Sequence, residues 1–265
     1  MITENKNMIK DKGETIMKKF KKTGIAVLAA ALSLTVFAGC QSSDQAADTQ
    51  EPAQEAKGKI TVAASPVPHS EILSQVKETL AEQGYELEVV EFTDYVQPNL
   101  VVDAGDVDAN FFQHKPYLDD FNAEKGTKLV PVASVHFEPL GIYAGKSTDL
   151  ANIPDGAAIA VPNDTTSEAR ALLLLEASGL IKIKEGAGRS ATKNGIAENP
   201  HNIEIVELEA AQVSRVIGEV DFVVLNGNYA LDAGLSVSDA VAKEEQDSEA
   251  AQTYANILVV KEGSE

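Results

Sequence analysis

The feature that most constrains the fold is a strand, a helix and a second strand in immediate succession. Residues 60–64 are small and apolar, typical of a buried strand, and prolines at 66 and 68 end it. Apolar residues then recur at helical spacing from residue 72 to 80. Between residues 85 and 89 apolar side chains alternate with glutamates, which predicts the second strand. Two strands joined by a helix favour a parallel sheet and an α/β fold.

The same pattern restarts after a polar stretch at 147–155. Two α/β blocks in series predict a two-lobed molecule, with crossovers near Tyr143 and near Tyr229. The apolar run at 172–175 indicates a deeply buried helix. Further strands are predicted at 129–135, 140–144, 157–161, 203–208 and 222–225, helices at 166–178 and 211–218, and mostly loop at 182–202.

The N-terminal part of the chain has the pattern of a targeting segment. Four lysines between residues 18 and 22 precede an apolar run at 24–38, which is shorter than the roughly 20 residues a membrane-spanning helix needs. A charged region, an apolar region and small residues predict a secretory signal peptide over residues 1–39. Met17 is the expected start, because residues 1–16 add nothing that a signal requires.

Cys40 directly follows this segment and is the only cysteine, so no internal disulfide can form. Its position after Gly39 is typical of a lipobox, in which the cysteine is acylated and becomes the mature N-terminus. The alternative is an ordinary signal peptide that ends near an unrelated cysteine. Residues 40–58, beyond the cysteine itself, are polar and lack aromatics, which predicts a flexible tether between lipid and domain.

The chain is strongly acidic, and this excludes one class of partner. It has 22 basic and 41 acidic residues, and seven lysines and three acids fall within residues 1–40. The part after the signal therefore has 15 basic and 38 acidic residues, a net charge of −23. Such a surface repels phosphate backbones, so we expect no nucleic-acid binding. We expect contact with a membrane only through the lipid.

Residues 108–118 combine three aromatic residues, a histidine and two amides. The segment is too polar for a typical core strand and too aromatic for a plain loop. A mixture of this kind suits a small pocket that must hold an apolar group and a polar group together. The sequence therefore predicts that this segment lines a binding site.

This segment closely resembles the NLPA lipoprotein family, the methionine-binding lipoproteins that supply an ABC importer. Several further motifs follow in the family's order, and the resemblance covers residues 59 to about 261. The resemblance implies a fold like that of type II periplasmic binding proteins, with the ligand in the cleft between lobes. The motifs are Phe92-Thr-Asp-Tyr95, Pro98-Asn99, Val161-Pro-Asn-Asp164, Arg170 before Leu172–Leu175, Glu198-Asn-Pro200, Leu225-Asn226 and Asn228-Tyr-Ala230.

With the resemblance, the domains can be assigned. Lobe 1 is expected to comprise residues 59–142 plus 230–265, and lobe 2 residues 143–229. Family members usually continue for one or two helices beyond the strand at 256–260, whereas this sequence stops at Glu265. We therefore expect the first lobe to leave part of its sheet uncovered.

A free amino acid presents a carboxylate, an ammonium and a side chain, and the resemblance supplies candidates for them. Arginine suits a carboxylate because its planar fork can pair with both oxygens. An aromatic pocket suits a thioether, which gains from burial and from sulfur–aromatic contact. Glu138 is a further candidate for the ammonium, and Asn228 a weaker amide. The implied ligand-binding residues are Tyr95, Phe112, His114, Tyr117, Asn163, Arg170 and Asn226; Asn163 could instead only cap the helix that follows.

The resemblance implies a lipid-anchored protein on the extracytoplasmic side of the cell membrane. It would capture L-methionine or a close relative and deliver it to an ABC permease and its ATPase. The sequence leaves open D-methionine, methionine sulfoxide, a methionine dipeptide, and a zinc-type binding protein on a similar fold. Four histidines invite the zinc hypothesis, but none forms an HxH or HxxxH pair. No catalytic motif is present, so we expect neither an enzyme nor a cofactor.

Overall fold

The computed structural model describes residues 57–245 and 249–265. The predicted signal peptide, Cys40 with its predicted lipidation and nearly all of the predicted tether lie outside these residues. Within the described ranges, no helix has the length and apolar character that crossing a membrane requires.

Five strands form the first sheet in the order β2-β1-β3-β12-β4. Strand β1 runs parallel to β2 and to β3, which confirms the predicted strand–helix–strand unit. Strand β12, from the end of the chain, inserts antiparallel between β3 and β4. The strands are β1 Gly58–Ala64, β2 Tyr85–Glu91, β3 Ala109–His114, β4 Leu129–Phe137 and β12 Ala255–Lys261.

Five more strands form the second sheet in the order β11-β5-β10-β6-β9. Strand β6 runs parallel to both of its neighbours, β9 and β10. The region 182–202, predicted as loop, contains a short antiparallel ribbon of β7 and β8 and two 3-10 turns. The strands are β5 Gly141–Ala144, β6 Ala158–Pro162, β7 Lys182–Ile183, β8 Ile196–Glu198, β9 Glu204–Leu208, β10 Phe222–Leu225 and β11 Ala242–Lys243.

Seven α-helices connect these strands in the described part of the chain. The helix predicted from the apolar run at 172–175 is the most buried, with nine of its 13 residues inside. The helix predicted at 211–218 is only one turn long and continues as a 3-10 turn. The helices are α1 Glu71–Glu82, α2 Gln97–Ala104, α3 Lys115–Lys125, α4 Thr165–Ala177, α5 Ala210–Val213, α6 Gly227–Asp232 and α7 Glu249–Thr253.

The two sheets with their covering helices form two lobes, so the predicted two-lobed α/β fold is confirmed. Sheet pairing differs from the expected lobe boundary in one segment. Strand β11 lies within 230–265, the range expected in lobe 1, yet it pairs with β5 in the second sheet. Leu235 and Ala240 likewise pack against the second lobe's core, beside Tyr143. The chain therefore returns to the first lobe only after β11, and the boundary near residue 230 is corrected.

Helix α1 covers one face of the first sheet loosely. None of its residues is buried, and Ile72 and Leu73 are only partly covered where they pack on the sheet. On β4, Val132 and Val135 are 42% and 48% exposed. Strand β4 of the first lobe thus presents apolar side chains to solvent.

Strand β3 corrects the expectation that residues 108–118 are too polar for a core strand. All six of its residues are buried. Its polar side chains are accommodated by a cluster of three buried amides, in which Asn99 Oδ1 accepts from Asn110 (2.8 Å) and from Gln113 (2.6 Å). Gln113 also donates to Asn110 Oδ1 and accepts from Asn99. Because the amides satisfy one another, the strand can be buried without leaving polar groups unpaired.

This amide cluster should be costly to break. Replacing Asn99 with leucine leaves Asn110 and Gln113 without their shared acceptor inside the protein. We expect the free energy of unfolding to fall by about 2–4 kcal/mol. Urea denaturation should show this, with the exposed Asn194→Leu variant as a control that changes stability by less than about 0.5 kcal/mol. Equal midpoints for the two variants would contradict the role of the cluster.

Candidate functional site

A cavity lies in the cleft between the lobes and takes its walls from both. It encloses about 370 Å³ of space, part of it open to solvent. Aromatic residues of the first lobe face polar residues from α4 and from the end of β10. The lining residues are Tyr95, Phe112, Gln113, His114, Tyr117, Glu138, Ser167, Arg170, Asn226, Gly227, Asn228 and Asn256.

Six of the seven residues implied by the resemblance line this cavity, and Asn163 does not. The side chain of Asn163 is exposed and borders a neighbouring cavity, beside Asp120 and Glu124. Asn163 is not the helix cap either, because Asp164 has that role: its Oδ1 accepts the Ser167 backbone N–H at 3.0 Å. Asn163 therefore lies outside the lining of the central cavity, and its predicted role as a ligand-binding residue stays a prediction.

Aromatic rings form one wall of the cavity. The ring of Tyr95 lies 5.7 Å from Phe112, 5.8 Å from Tyr117 and 5.0 Å from Tyr229, measured between centroids. Two of the hydroxyls donate to backbone carbonyls. Tyr117 donates to the Tyr95 carbonyl at 2.8 Å, and Tyr229 donates to the Thr93 carbonyl at 2.9 Å. With their polar ends occupied, the rings offer apolar, polarizable surface to a ligand.

His114 extends this wall and is held neutral. Its Nδ1 accepts the Tyr117 backbone N–H at 3.3 Å, so the ring proton lies on Nε2. Burial lowers the pKa of His114 well below its usual value, and the nearby positive charge of Arg170 lowers it further. The residue therefore contributes a neutral edge to the cavity rather than a second cation.

Arg170, buried on α4, has one edge committed to the protein. Its Nε donates to Glu244 Oε1 at 3.0 Å and its Nη2 to Glu244 Oε2 at 2.5 Å. The guanidinium lies over the Tyr254 ring at 4.3 Å. Nη2 also reaches the Glu138 carbonyl at 3.3 Å. Among the described residues nothing bonds to Nη1, so this nitrogen is the one that can receive an anion in the cavity.

Two acceptors in the cavity have spare capacity. Asn226 donates its amide to Ser167 Oγ at 3.1 Å, while its buried Oδ1 has no donor among the described residues. Glu138 places Oε1 against two histidines, and its Oε2 has no partner in the described ranges. Gly227 makes room for this carboxylate, because a Cβ there would lie 3.0 Å from Oε2. A donor with several hydrogens, such as an ammonium, fits this pair.

His69, His136 and Glu138 form the one cluster in the described residues that could hold a metal ion. One ligand atom from each lies within 4.8 Å of the others. His136 Nε2 is 2.6 Å and His69 Nε2 is 3.3 Å from Glu138 Oε1. The two histidines are 67 positions apart, so the search for HxH spacing could not find them. A chelator-sensitive melting temperature would be the mark of a resident ion.

Several cavity residues were missed by sequence reasoning. Asn256 sits on β12 and Ser167 in the first turn of α4, and neither was considered. Tyr229 was noticed only as part of a motif, and Glu244 was not noticed at all. Glu244 follows a two-residue strand and has no local pattern, so only its ion pair reveals it.

The fold and the cavity define a two-lobed solute-binding protein of the kind that holds a small molecule between lobes. The model of the NlpA lipoprotein family matches residues 60–265. The chain belongs to the NlpA lipoprotein family.

Relatives agree with this assignment. The D-methionine-binding lipoprotein MetQ of Salmonella typhimurium is 38% identical over 248 residues, which cover 92% of this chain and 86% of MetQ. The structure of lipoprotein Tp32 from Treponema pallidum is similar at a TM-score of 0.73 and 44% identity, covering 78% of this chain and 85% of Tp32. A nutrient-binding protein from Burkholderia cenocepacia, solved bound to methionine, has a TM-score of 0.70 and 44% identity, covering 76% of this chain and 84% of that one.

The burial of His114 should appear in the pH dependence of stability. Because the folded state lowers the pKa of this histidine, the unfolded chain binds its proton first as pH falls below about 6.5. Stability should therefore drop from pH 7.5 to 5.5. The His114→Gln variant should lose up to about 1.4 kcal/mol per pH unit of that slope. Urea titrations at each pH measure it, and an unchanged slope would contradict the assignment.

Proposed function

We propose that this chain is a membrane-anchored solute-binding lipoprotein that captures methionine, or a close relative, for an ABC importer. The observation that carries the proposal is the composition of the cavity. One cavity between the lobes combines aromatic rings, an arginine nitrogen and two acceptor oxygens, Glu138 Oε2 and Asn226 Oδ1, that have no donor among the described residues. The rings would contact the side chain of an amino acid, the arginine nitrogen would bind its carboxylate, and the two acceptors would bind its ammonium.

The carboxylate would bind at Nη1 of Arg170. Glu244 occupies the Nε and Nη2 atoms of the guanidinium. The ligand carboxylate would therefore bind Nη1 from the end of the guanidinium rather than pair with two of its nitrogens. The Arg170 side chain is 4% exposed, and a charge-assisted hydrogen bond is strengthened in such surroundings. The carboxylate end of the ligand would therefore lie next to α4.

The ammonium would lie between Glu138 Oε2 and Asn226 Oδ1. Both are acceptors in the cavity wall, and Glu138 supplies the opposite charge. The rings of Tyr95, Phe112 and Tyr117 would then surround the side chain. A thioether benefits there from burial and from sulfur–aromatic contacts of about 0.3–1.5 kcal/mol each.

Two relatives support the choice of ligand. MetQ of Salmonella typhimurium is named as a D-methionine-binding lipoprotein, and the Burkholderia cenocepacia protein was solved bound to methionine. The identities of 38% and 44% extend over most of the chain. By the same argument an ABC permease and its ATPase are the partners that would receive the ligand when the lobes are closed.

The anchor and the location complete the proposal. Acylation of Cys40 would hold the protein on the extracytoplasmic side of the cell membrane, with residues 40–58 as the tether. Each buried CH₂ of an acyl chain contributes about 0.8 kcal/mol, so more than one chain gives stable attachment. Mass spectrometry of the membrane-extracted protein tests this through the mass of the modified cysteine.

The direct test is a binding panel on the chain from Gln41 onward. Native mass spectrometry of the protein as purified identifies a co-purified ligand by mass. Calorimetry with L-methionine, D-methionine, methionine sulfoxide, a methionine dipeptide and zinc then ranks the candidates. Saturable binding of a methionine-type ligand is the expected result. Binding of zinc alone would replace the proposal with the metal-binding alternative.

Removing the arginine should weaken binding strongly. We expect Arg170→Ala to lower methionine affinity more than tenfold, because the carboxylate loses a charged donor in a buried site. Arg215, which is exposed on the surface, provides the matched control. Arg215→Ala should change affinity less than about twofold. Calorimetry measures both, after circular dichroism has verified folding, and equal affinities would exclude Arg170 from the site.

Removing an aromatic ring should affect ligands selectively. Phe112→Leu keeps an apolar side chain of similar length and deletes the ring. We expect methionine affinity to fall roughly tenfold, since ring contacts are lost, while alanine affinity falls less than about threefold. Competition calorimetry gives the ratio. Equal losses for both amino acids would contradict a thioether pocket.

A further inference from the structure

Two imidazoles lie directly behind the carboxylate of Glu138. His136 Nε2 is 2.6 Å from Oε1, and His69 Nε2 is 3.3 Å from the same oxygen. His69 Nε2 also lies 3.0 Å from Asn256 Oδ1. His69 is fully buried, and His136 is 22% exposed at its side chain.

The contacts define where the ring protons are. The neighbours of each Nε2 are carboxylate or amide oxygens, which accept hydrogen bonds, so each Nε2 carries a hydrogen and donates it. The two Nδ1 atoms are buried without a partner. The hydrogen bonds of this cluster to oxygen atoms therefore run from Nε2 of each ring.

The two Glu138 oxygens have different surroundings. Oε1 accepts the His136 Nε2 hydrogen at 2.6 Å, and the nearby His69 Nε2 donates instead to Asn256 Oδ1 at 3.0 Å. Oε2 lies on the Gly227 side of the cavity. The Glu138 side chain, which is 12% exposed, cannot swing away without leaving the His136 donor unpaired.

We propose that His136 is a positioning residue for the ammonium of the ligand. It acts through Glu138, by holding Oε1 in a hydrogen bond so that Oε2 stays on the Gly227 side of the cavity. This inference rests on the proposed function, because it presupposes a ligand with an ammonium. It makes His136 a specificity determinant that favours an amino acid over the same molecule without its amino group.

The same three residues are the candidate metal cluster, and the geometry favours the positioning role. A divalent cation would need the lone pairs of both Nε2 atoms, and those positions carry the hydrogens that Glu138 and Asn256 accept. A 2.6 Å separation between His136 Nε2 and the carboxylate oxygen is a direct hydrogen bond, with no room for an ion between the two atoms.

The test compares two ligands and variants at one position. His136→Leu removes the donor, and His136→Gln keeps an N–H that can reach Glu138. The ligands are the methionine isomer that the wild type binds and 4-(methylthio)butanoate, the same molecule without its amino group. We expect His136→Leu to weaken methionine roughly tenfold and the deaminated ligand less than threefold. His136→Gln should restore most of the loss.

Controls separate this inference from the proposed function. His201→Leu, outside the cluster, should leave both affinities unchanged, and Glu138→Gln should weaken methionine selectively. If Glu138→Gln does so while His136→Leu does not, the positioning role is wrong and the proposed function stands. Equal losses for both ligands in His136→Leu would reduce the histidine to a structural role. One-to-one zinc binding that His136→Leu abolishes would also overturn the inference, and a wild type that binds no methionine would overturn both.

Discussion

The ion pair between Arg170 and Glu244 is the contact on which the arrangement of the cleft depends. The two side chains are 4% and 11% exposed, so neither charge can be left alone without a large desolvation cost. Glu244 follows β11, the last strand of the second lobe, and Tyr254, which covers the guanidinium, precedes β12 of the first lobe. The Glu138 carbonyl, at the other crossover, also accepts from Arg170. A single cation on α4 thus joins both places where the chain passes between lobes.

Polar groups behind the cleft are hydrogen-bonded to one another, whereas several polar atoms near the cleft have no partner among the described residues. The amides behind β3 satisfy one another completely, which allows a polar strand to be a core strand. In contrast, four buried side-chain atoms of the described residues have no partner: His69 Nδ1, His136 Nδ1, Asp164 Oδ2 and Asn226 Oδ1. Asn226 lines the central cavity, Asp164 lines the neighbouring cavity, and the two histidines lie beside Glu138. Native proteins usually satisfy buried polar atoms, so such a concentration marks a site shaped for a ligand rather than for stability.

Local patterns in the sequence predict what local physics determines. Alternation at residues 85–89 and the apolar run at 172–175 each fix one element, and the order of elements implies the parallel sheets. Family resemblance adds Arg170 and the aromatic wall. Neither the local patterns nor the resemblance predicts long-range pairing. Strand β12 inserts between β3 and β4, and the amides that allow the polar side chains of β3 to be buried come partly from α2. Which of Asn163 and Asp164 caps the helix depends on the direction of each side chain, and the spacing of residues in the sequence does not give that direction.

The charges at the cleft explain why a zwitterion fits better than a simple acid. Arg170 and Glu244 pair with each other, so the carboxylate of Glu138 is the acidic group of the cavity lining that this ion pair leaves to a ligand. A carboxylate without an ammonium would place a second negative charge beside Glu138 in a cleft that is partly shielded from water, where repulsion is stronger than in bulk solvent. An amino acid brings its own cation to Glu138 and only then offers its carboxylate to Nη1 of Arg170. In the proposed binding mode, the ammonium therefore offsets the charge of Glu138 and allows the carboxylate to bind at Arg170. Charge balance then favours amino acids over simple acids, independently of the side chain.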